Sequence, residues 1–218
     1  MSSPRTKLVG VTEPSQKSVA VLVSGSGTLL QSILDNQDDS YRVSLVVADT
    51  DCPAIERAAA AGVRTEIVEL GQDRAQWNRA LRDAVSQGEP DIVVSAGFMR
   101  IVGQEFLERF EGRLINTLPA LLPSFPGAHA VRDALAYGVK VTGTTVHYID
   151  AGVDTGEIIA QKAVEVRDGE TEAELHERIK VHERALIVDV LRRAHIDNEN
   201  DGKVSVSWHR TTSRSSVR

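Results

Sequence analysis

Cysteine is nearly absent from the sequence: the 218 residues contain a single one, Cys52. One thiol can form neither an intrachain disulfide framework nor a cysteine-based zinc site, so both are excluded as sources of stability. We therefore expect the protein to work in a reducing compartment.

Long hydrophobic runs are also missing. No apolar stretch approaches the roughly 18 residues of a membrane span, and the N-terminus has no signal-peptide pattern. We expect a cytoplasmic protein with no membrane partner.

An excess of basic residues is the third absence. The chain has 25 Lys and Arg against 31 Asp and Glu, which makes its formal net charge −6. Binding to nucleic acid requires clustered basic side chains, so we expect no nucleic-acid partner. A small anionic ligand stays open, because backbone N–H groups at a helix N-terminus hold an anion without net positive charge.

Hydrophobic residues make up 41% of the chain and charged residues 26%, enough for a core and against global disorder. The length suits one domain. We predict a flexible arm over residues 1–17, a single domain over 18–198, and an edge strand with a loose tail over 199–218.

The order of predicted elements indicates an α/β fold. Strands and helices alternate over the first 125 residues or so, which is typical of an open, mostly parallel, twisted sheet with helices on both faces. Two longer strands follow at 140–149 and 156–166, and a long amphipathic helix is predicted over 171–195. A further strand at 203–210 adds an antiparallel element near the C-terminus.

The sequence SGSGTLL follows the first buried strand and leads directly into a helix. Glycines at 25 and 27 let the backbone approach a phosphate, and the helix dipole favours an anion there. No lysine follows, so this is no Walker A loop, and Leu30 stands where the dinucleotide fingerprint has its third glycine. The alternative is a plain tight turn.

The stretch LINTLPALLPSFPG, residues 114–127, is apolar and contains three prolines. The prolines at 119, 123 and 126 prevent a long strand or helix. Asn116 is predicted at the carboxyl end of a buried strand, where such sheets bind ligands, and its amide can donate to an oxyanion. The alternative is a turn-forming Asn that bonds to local backbone.

Three titratable side chains, His147, Asp150 and Asp154, lie within eight residues in TTVHYIDAGVDTG. Asp154 lies between two glycines, in a loop from which a carboxylate can reach a cleft. The alternative is a hairpin loop with solvated acids. No ligand spacing supports a metal site.

Two other charged positions have ordinary alternatives. Arg100 follows a core strand that ends at Gly97. The alternative to a functional role is ordinary packing between strand and helix, with the Arg100 side chain in solvent. Lys180 and Glu183 are three residues apart on one helix face, where a solvated ion pair is the alternative.

Four segments in this order, VLVSGSGT, PDIVVSAGFMRI, INTLPALLPSFPG and GTTVHYIDAGVDTGEIIAQ, resemble the phosphoribosylglycinamide formyltransferase family. The resemblance spans about residues 19–195. It implies a Rossmann-like fold and transfer of a formyl group from 10-formyltetrahydrofolate to the amine of glycinamide ribonucleotide, in purine synthesis. It implies no metal or redox cofactor, and it leaves a homodimer open.

The resemblance also implies roles for individual residues. Asn116 and Asp154 match two of the family's three catalytic positions. The residues implied in substrate binding are Gly25, Ser26, Gly27, Thr28 and Leu29 around the phosphate, with Lys180 and Glu183 at the ribonucleotide. Those implied around the pterin end of the folate are Phe98, Met99, Arg100, Ile101, Val102, Ala151, Gly152 and Val153.

The sequence departs from the family at the third catalytic position. The family pattern is Asn-x-His-Pro, whereas this chain has Leu118 in place of the histidine. A leucine side chain has no donor, acceptor or charge, so the resemblance implies impaired or rerouted catalysis. The chain is then an altered copy of an active enzyme, a variant in which His129 or His147 takes over, or a non-catalytic binder of folate and ribonucleotide.

Two relatives in the same chemistry are weaker alternatives. A methionyl-tRNA formyltransferase needs a basic surface and usually an extra C-terminal domain. A formyltetrahydrofolate hydrolase needs an additional N-terminal regulatory domain. We find none of these features in the sequence.

Overall fold

The computed structural model describes residues 16–197 and 202–206. Seven strands form one sheet in the order β3-β2-β1-β4-β5-β6-β7, in which β1 to β5 run parallel and β6 and β7 are antiparallel additions. The strands are β1 Lys17–Val23, β2 Tyr41–Ala48, β3 Arg64–Ile67, β4 Ile92–Ser95, β5 Leu114–Leu118, β6 Val141–Tyr148 and β7 Ile158–Glu165. This architecture confirms the predicted fold class.

Within the described residues, six helices flank the sheet. They are α1 Thr28–Asp35, α2 Pro53–Ala60, α3 Arg74–Ser86, α4 Gln104–Arg109, α5 Ala130–Tyr137 and α6 Glu172–Arg193. Asp73 caps helix α3, since its side chain accepts a hydrogen bond from the N–H of Gln76. A capping box between Thr171 and Glu174 starts α6. No helix in the described part of the chain is long and apolar enough to cross a membrane.

The central strand β1 is buried on both faces, which explains its continuous Val-rich sequence. Val19, Val21 and Val23 face one core, which α1, α2 and α6 cover. Ala20 and Leu22 face a second core, which α3 and α4 cover. The two cores fix β1 between two helical layers, and its carboxyl end emerges at one edge of the sheet.

The strand order indicates the edge of the sheet at which ligand binding is expected. The chain proceeds from β1 outward to β2 and β3, and then returns to β4 on the other side of β1. Open α/β sheets bind ligands at such a reversal, at the carboxyl ends of the strands. The segments that leave β1, β4 and β5 are the glycine loop (residues 25–29), the 98–102 segment and the proline loop (residues 119–127).

The structure differs from the sequence-based expectation in two elements. Helix α5 was not predicted, because it follows the proline loop directly and its apolar face is short. The last predicted helix ends at Arg193, and residues Ala194–Asp197 form strand β8, which pairs with β9, Lys203–Val206, in a separate sheet. This difference arises from a tertiary contact. The Val204 N–H on β9 donates to the Gly112 carbonyl, which attaches the β8–β9 sheet to the main domain.

The predicted domain boundaries stay predictions. Strand β1 begins at Lys17, the last residue assigned to the arm. The rest of the predicted arm lies outside the described residues, except for residue 16. The same holds for residues 198–201 and 207–218, which include most of the predicted tail and the second half of the predicted strand at 203–210.

Candidate active site

The glycine loop is shaped by close packing against α2. Gly27 has a φ of 69°, and a Cβ at this position would lie 2.7 Å from the Cβ of Ala54. Helix α1 starts at Thr28 without a side-chain cap. The Arg57 guanidinium donates to the Ser26 carbonyl at 2.8 Å, which adds positive charge beside the loop. The loop therefore has the backbone geometry and the electrostatic field that suit a phosphate group.

Three predicted side chains come together at the middle of β5, level with Ser95 at the end of β4, and we call them the Asn–His–Asp cluster: Asn116, His147 and Asp154. Asn116 on β5 lies opposite His147 on the antiparallel β6. The distance between Asn116 Nδ2 and His147 Nε2 is 3.3 Å, and that between His147 Nε2 and Asp154 Oδ1 is 3.5 Å. The cluster combines an amide donor, an imidazole and a carboxylate around one nitrogen.

The contacts of His147 constrain its proton positions. Its Nδ1 lies 2.8 Å from the Tyr148 carbonyl, which only accepts, so we assign a proton to Nδ1. In the neutral ring Nε2 accepts from the Asn116 amide. A second proton on Nε2 turns it into a donor to Asp154. The imidazole side chain is 2% exposed, so it is shielded from bulk water.

Asp154 is held as a carboxylate. A proton on His147 Nε2 donates to Asp154 and is the main cause that lowers the pKa of this carboxyl group, and the Gly127 N–H, 2.7 Å from Oδ2, lowers it further. Asp154 itself adopts a φ of 54°, unusual for a residue with a side chain. The loop backbone is thus bent to bring this carboxylate to the cluster and to the proline loop.

The lowered pKa of Asp154 predicts a pH dependence of stability. The folded state binds its proton less readily than the unfolded chain, whose ordinary pKa is 3.8. The ionised group therefore stabilises the fold above that pH, and the contribution is lost as the pH falls through the lowered folded value. In urea unfolding, we expect the stability gap between the parent and Asp154→Asn to shrink as the pH falls from neutral to acid. A gap that is constant with pH would contradict this.

Leu118 lies two residues beyond Asn116 on β5, so its side chain is on the same face of the strand. It is 8% exposed and packs with Ala120, Leu122 and Ala130, with Phe125 against them. A polar group at this position would thus meet an apolar pocket beside the cluster.

The two histidines predicted as substitutes differ in placement. His147 lies in the cluster. His129 is exposed at the start of α5, and within residues 16–197 and 202–206 no hydrogen bond links it to Asn116 or Asp154.

The 98–102 segment is tethered at several points. The Met99 N–H donates to Ser24 Oγ at 2.9 Å, which joins the segment to the strand end before the glycine loop. Arg74 donates to the Ile101 carbonyl. Met99 and Ile101 nevertheless expose about three quarters of their surface, 76% and 74%. A tethered backbone with exposed apolar side chains suits a wall for a flat, partly apolar ligand.

The Arg100 side chain is 39% exposed, as its solvent-exposed alternative has it, but it also pairs with a buried carboxylate. Its Nε lies 2.5 Å from Asp49 Oδ2, and the Asp49 side chain is 1% exposed. The other carboxylate oxygen, Oδ1, is buried and has no hydrogen-bond partner among the described residues. Asp49 was missed in the sequence, although a carboxylate directly after buried strand β2 was a signal of the same kind as Asn116.

This ion pair predicts an asymmetry in stability. Arg100→Met leaves the Asp49 charge buried and unpaired, so we expect a loss of about 3 kcal/mol in the free energy of unfolding. Asp49→Asn leaves Arg100 free to reach water and should cost less. Urea unfolding of both variants and of the double variant measures the coupling, and the double variant should be more stable than Arg100→Met. Additive losses would refute the pairing.

Glu183 and Lys180 do not form the solvated ion pair that was the alternative for these positions. The Thr117 hydroxyl donates to Glu183 Oε1 at 2.7 Å, which links α6 to the residue after Asn116. Lys180 instead bonds to Glu177 at 2.7 Å. Burial raises the pKa of Glu183, and the Thr117 hydroxyl and the nearby Lys180 and Arg184 charges oppose that rise.

The loop that contains Ala151, Gly152 and Val153 is exposed and turns around Asp150. Asp150 Oδ1 accepts from the Gly152 N–H at 3.0 Å and from the Thr155 hydroxyl at 2.7 Å. Asp150 therefore shapes the loop and is not part of the cluster. Within the part of the chain that the structure describes, no three His, Cys, Asp or Glu side chains are grouped so as to hold a metal ion.

Known proteins resemble this chain in sequence and in structure. Residues 17–191 match the model of a family described as formyl transferase. A phosphoribosylglycinamide formyltransferase of Mycobacterium tuberculosis is 56% identical over 174 residues, which cover 78% of this chain and 81% of that protein. The phosphoribosylglycinamide formyltransferase of Bacillus subtilis is 35% identical, and the match covers 81% of this chain and 94% of that protein.

Among solved structures, glycinamide ribonucleotide transformylase 1 from Symbiobacterium toebii superposes with a TM-score of 0.80 at 38% identity. The match covers 88% of this chain and 94% of that one. The residues matched by the family model include all seven strands of the main sheet and every candidate site residue.

Proposed function

Since the chain belongs to the formyl transferase family, we propose that it transfers a formyl group from 10-formyltetrahydrofolate to the amine of glycinamide ribonucleotide. The observation that carries the proposal is the Asn–His–Asp cluster at the carboxyl edge of the sheet, on strand β5, two strands from β1, which leads into the glycine loop. The substrates are small molecules of purine synthesis, and we place the reaction in the cytoplasm.

The proposed binding roles follow the layout of the edge. The glycine loop holds the phosphate of the ribonucleotide, and Lys180 and Glu183 on α6 contact its sugar. The 98–102 segment and residues 151–153 enclose the pterin end of the folate. The proline loop lies between the two ligands, where stiff backbone holds the reacting groups in place and limits access of water.

The chemistry requires a donor and a proton relay. The amine nitrogen attacks the formyl carbon, a C–N bond forms, and the carbonyl oxygen becomes an oxyanion. The Asn116 amide donates to that oxyanion. The amine then loses a proton to the Asp154 carboxylate, directly or through His147 or a water. The proton is returned to the folate nitrogen as its bond to the formyl carbon breaks. No metal or redox group takes part in these steps.

Leu118 limits the proposed rate. The family's histidine at this position would supply a second donor, and removal of one such donor typically lowers turnover by about 10²–10³-fold. We propose that His147, which already contacts Asn116 and Asp154, supplies the only imidazole of the reaction. Ligand binding should be spared, because Leu118 belongs neither to the glycine loop nor to the 98–102 segment.

A non-catalytic binder of the same ligands is the second candidate. The apolar packing of Leu118 beside the cluster is the observation that favours it.

One pair of measurements tests both candidates. A thermal-shift titration with glycinamide ribonucleotide, a folate and tRNA should show stabilisation by the first two only. An assay of tetrahydrofolate release then separates an enzyme from a binder. If neither small molecule raises the melting temperature, both candidates fail.

A further inference from the structure

The residue after Asn116 contacts the other side of the site. We propose that Thr117 is a positioning residue, whose hydroxyl holds the Glu183 carboxylate in the orientation that receives the ribonucleotide. The inference rests on the proposed function, in which Glu183 contacts that substrate, and it adds a residue and a contact to it.

Thr117 and Glu183 are joined by a direct side-chain hydrogen bond. The donor and acceptor, Thr117 Oγ1 and Glu183 Oε1, are 2.7 Å apart, and Thr117 is 8% exposed. The two residues are 66 positions apart in sequence, so this bond joins β5 to α6. A carboxylate only accepts, so the hydroxyl proton is committed to this bond and its direction is set.

The two partners differ in stiffness. Thr117 is β-branched and lies within a paired strand, so its hydroxyl position follows from the backbone. Glu183 has a long side chain with several rotatable bonds, which loses entropy whenever it is held in one orientation. The bond to this rigid strand residue therefore restricts the conformations of the Glu183 side chain before any ligand binds.

The bond also leaves half of the carboxylate available. Within the described residues, the hydrogen bond to Thr117 is the one that reaches Glu183, and it occupies Oε1. Oε2 is left to accept from a donor on a ligand, and sugar hydroxyls are donors of this type. Since burial disfavours the charged form of Glu183, the hydroxyl also supports the ionised state that such binding needs.

Asn116 and Thr117 are consecutive on a strand, so their side chains point to opposite faces. Strand β5 thereby places the proposed oxyanion donor on one face and, on the other, the hydroxyl that bonds to the Glu183 carboxylate. A rigid backbone step between them fixes the distance from the reacting centre to the sugar. Loss of the Thr117 hydroxyl should consequently weaken ribonucleotide binding more than it slows the chemical step.

The test is calorimetric titration with glycinamide ribonucleotide, combined with steady-state kinetics. Thr117→Val keeps the shape and removes the hydroxyl, and it should raise the Kd and the KM for the ribonucleotide about tenfold. The kcat and the KM for the folate should stay within about twofold of the parent values. Thr117→Ser restores the hydroxyl and should restore the affinity.

Thr144→Val is the matched control. Thr144 lies on the neighbouring strand β6, is fully buried, and has a hydroxyl without a hydrogen-bond partner in the described part of the chain. Its replacement should leave ribonucleotide affinity unchanged. In a Glu183→Gln background, Thr117→Val should reduce ribonucleotide affinity little further, because the hydroxyl acts on affinity only through the Glu183 carboxylate.

The outcomes separate the two proposals. If the parent binds the ribonucleotide and Thr117→Val binds it equally well, the role of Thr117 is refuted while the proposed function stands. That role is also refuted if Thr117→Ser loses as much affinity as Thr117→Val. If the parent does not bind the ribonucleotide at all, both proposals fall. Should Thr117→Val not fold, Thr117→Ala carries the same test.

Discussion

Leu118→His is expected to raise kcat by about 10²–10³-fold, the usual worth of one donor to a developing oxyanion. Leu118 is on the same face of β5 as Asn116, so an imidazole there would approach the cluster from the next position along the strand. The affinities for ribonucleotide and folate should change little, because no residue of the glycine loop or the 98–102 segment is altered. Steady-state kinetics with both substrates measures the effect.

The same substitution should lower stability. Leu118 packs in a small apolar cluster with Ala120, Leu122 and Ala130, and an imidazole is poorly matched to that pocket. Thermal unfolding should therefore show a decrease in Tm together with the gain in rate. Leu118→Gln is the control, since it adds polarity without an imidazole and should cost stability without the gain. If the parent already turns over as fast as Leu118→His, the proposed role of this position is wrong.

Asp154→Asn is expected to lower kcat by about 10²–10⁴-fold, the range attributed to general acid–base catalysis. Asparagine retains an oxygen that accepts from the Gly127 N–H, so the loop should keep its path. What is lost is the negative charge that His147 and Gly127 maintain by lowering the pKa of the carboxyl group. An amide cannot take the proton of the attacking amine, so the chemical step should fail while binding persists.

Asp150→Asn is the matched control for Asp154→Asn. Asp150 lies in the same loop and accepts two local hydrogen bonds that an asparagine oxygen also accepts. It should keep the parent's kcat to within about twofold, since it is not part of the cluster. Both variants are best measured in the Leu118→His background, where turnover is high enough to follow a large loss. Equal losses at 150 and 154 would assign the effect to loop structure.

Much of the site was visible as separate pieces in the sequence. The glycine loop, Asn116, Asp154 and the 98–102 segment each follow a buried strand or lie in a glycine-bounded loop. The α/β alternation predicts that the glycine loop, Asn116 and the 98–102 segment lie at one edge of the sheet, because parallel strands bring their carboxyl ends together. Asp49 also follows a buried strand, but nothing in its local sequence marks it as the partner of Arg100.

The contacts between the pieces were decided by packing. Asn116 meets His147 across 31 residues, Arg100 meets Asp49 across 51, and Thr117 meets Glu183 across 66. The Asn116–His147 contact depends on the register of β5 and β6. The Arg100–Asp49 contact depends on the path of the 98–102 segment, and the Thr117–Glu183 contact on the placement of α6 against the sheet.

By itself, the sequence determined the layers of the fold and the position of the glycine loop, Asn116 and the 98–102 segment relative to the buried strands. These are properties of local composition and spacing, which periodicity and turn chemistry encode directly. Only the tertiary structure decided which imidazole contacts Asn116, which carboxylate pairs with Arg100, and which hydroxyl bonds to Glu183. Such pairings depend on strand register and helix placement; in a strand, a shift of one residue turns every side chain to the other face.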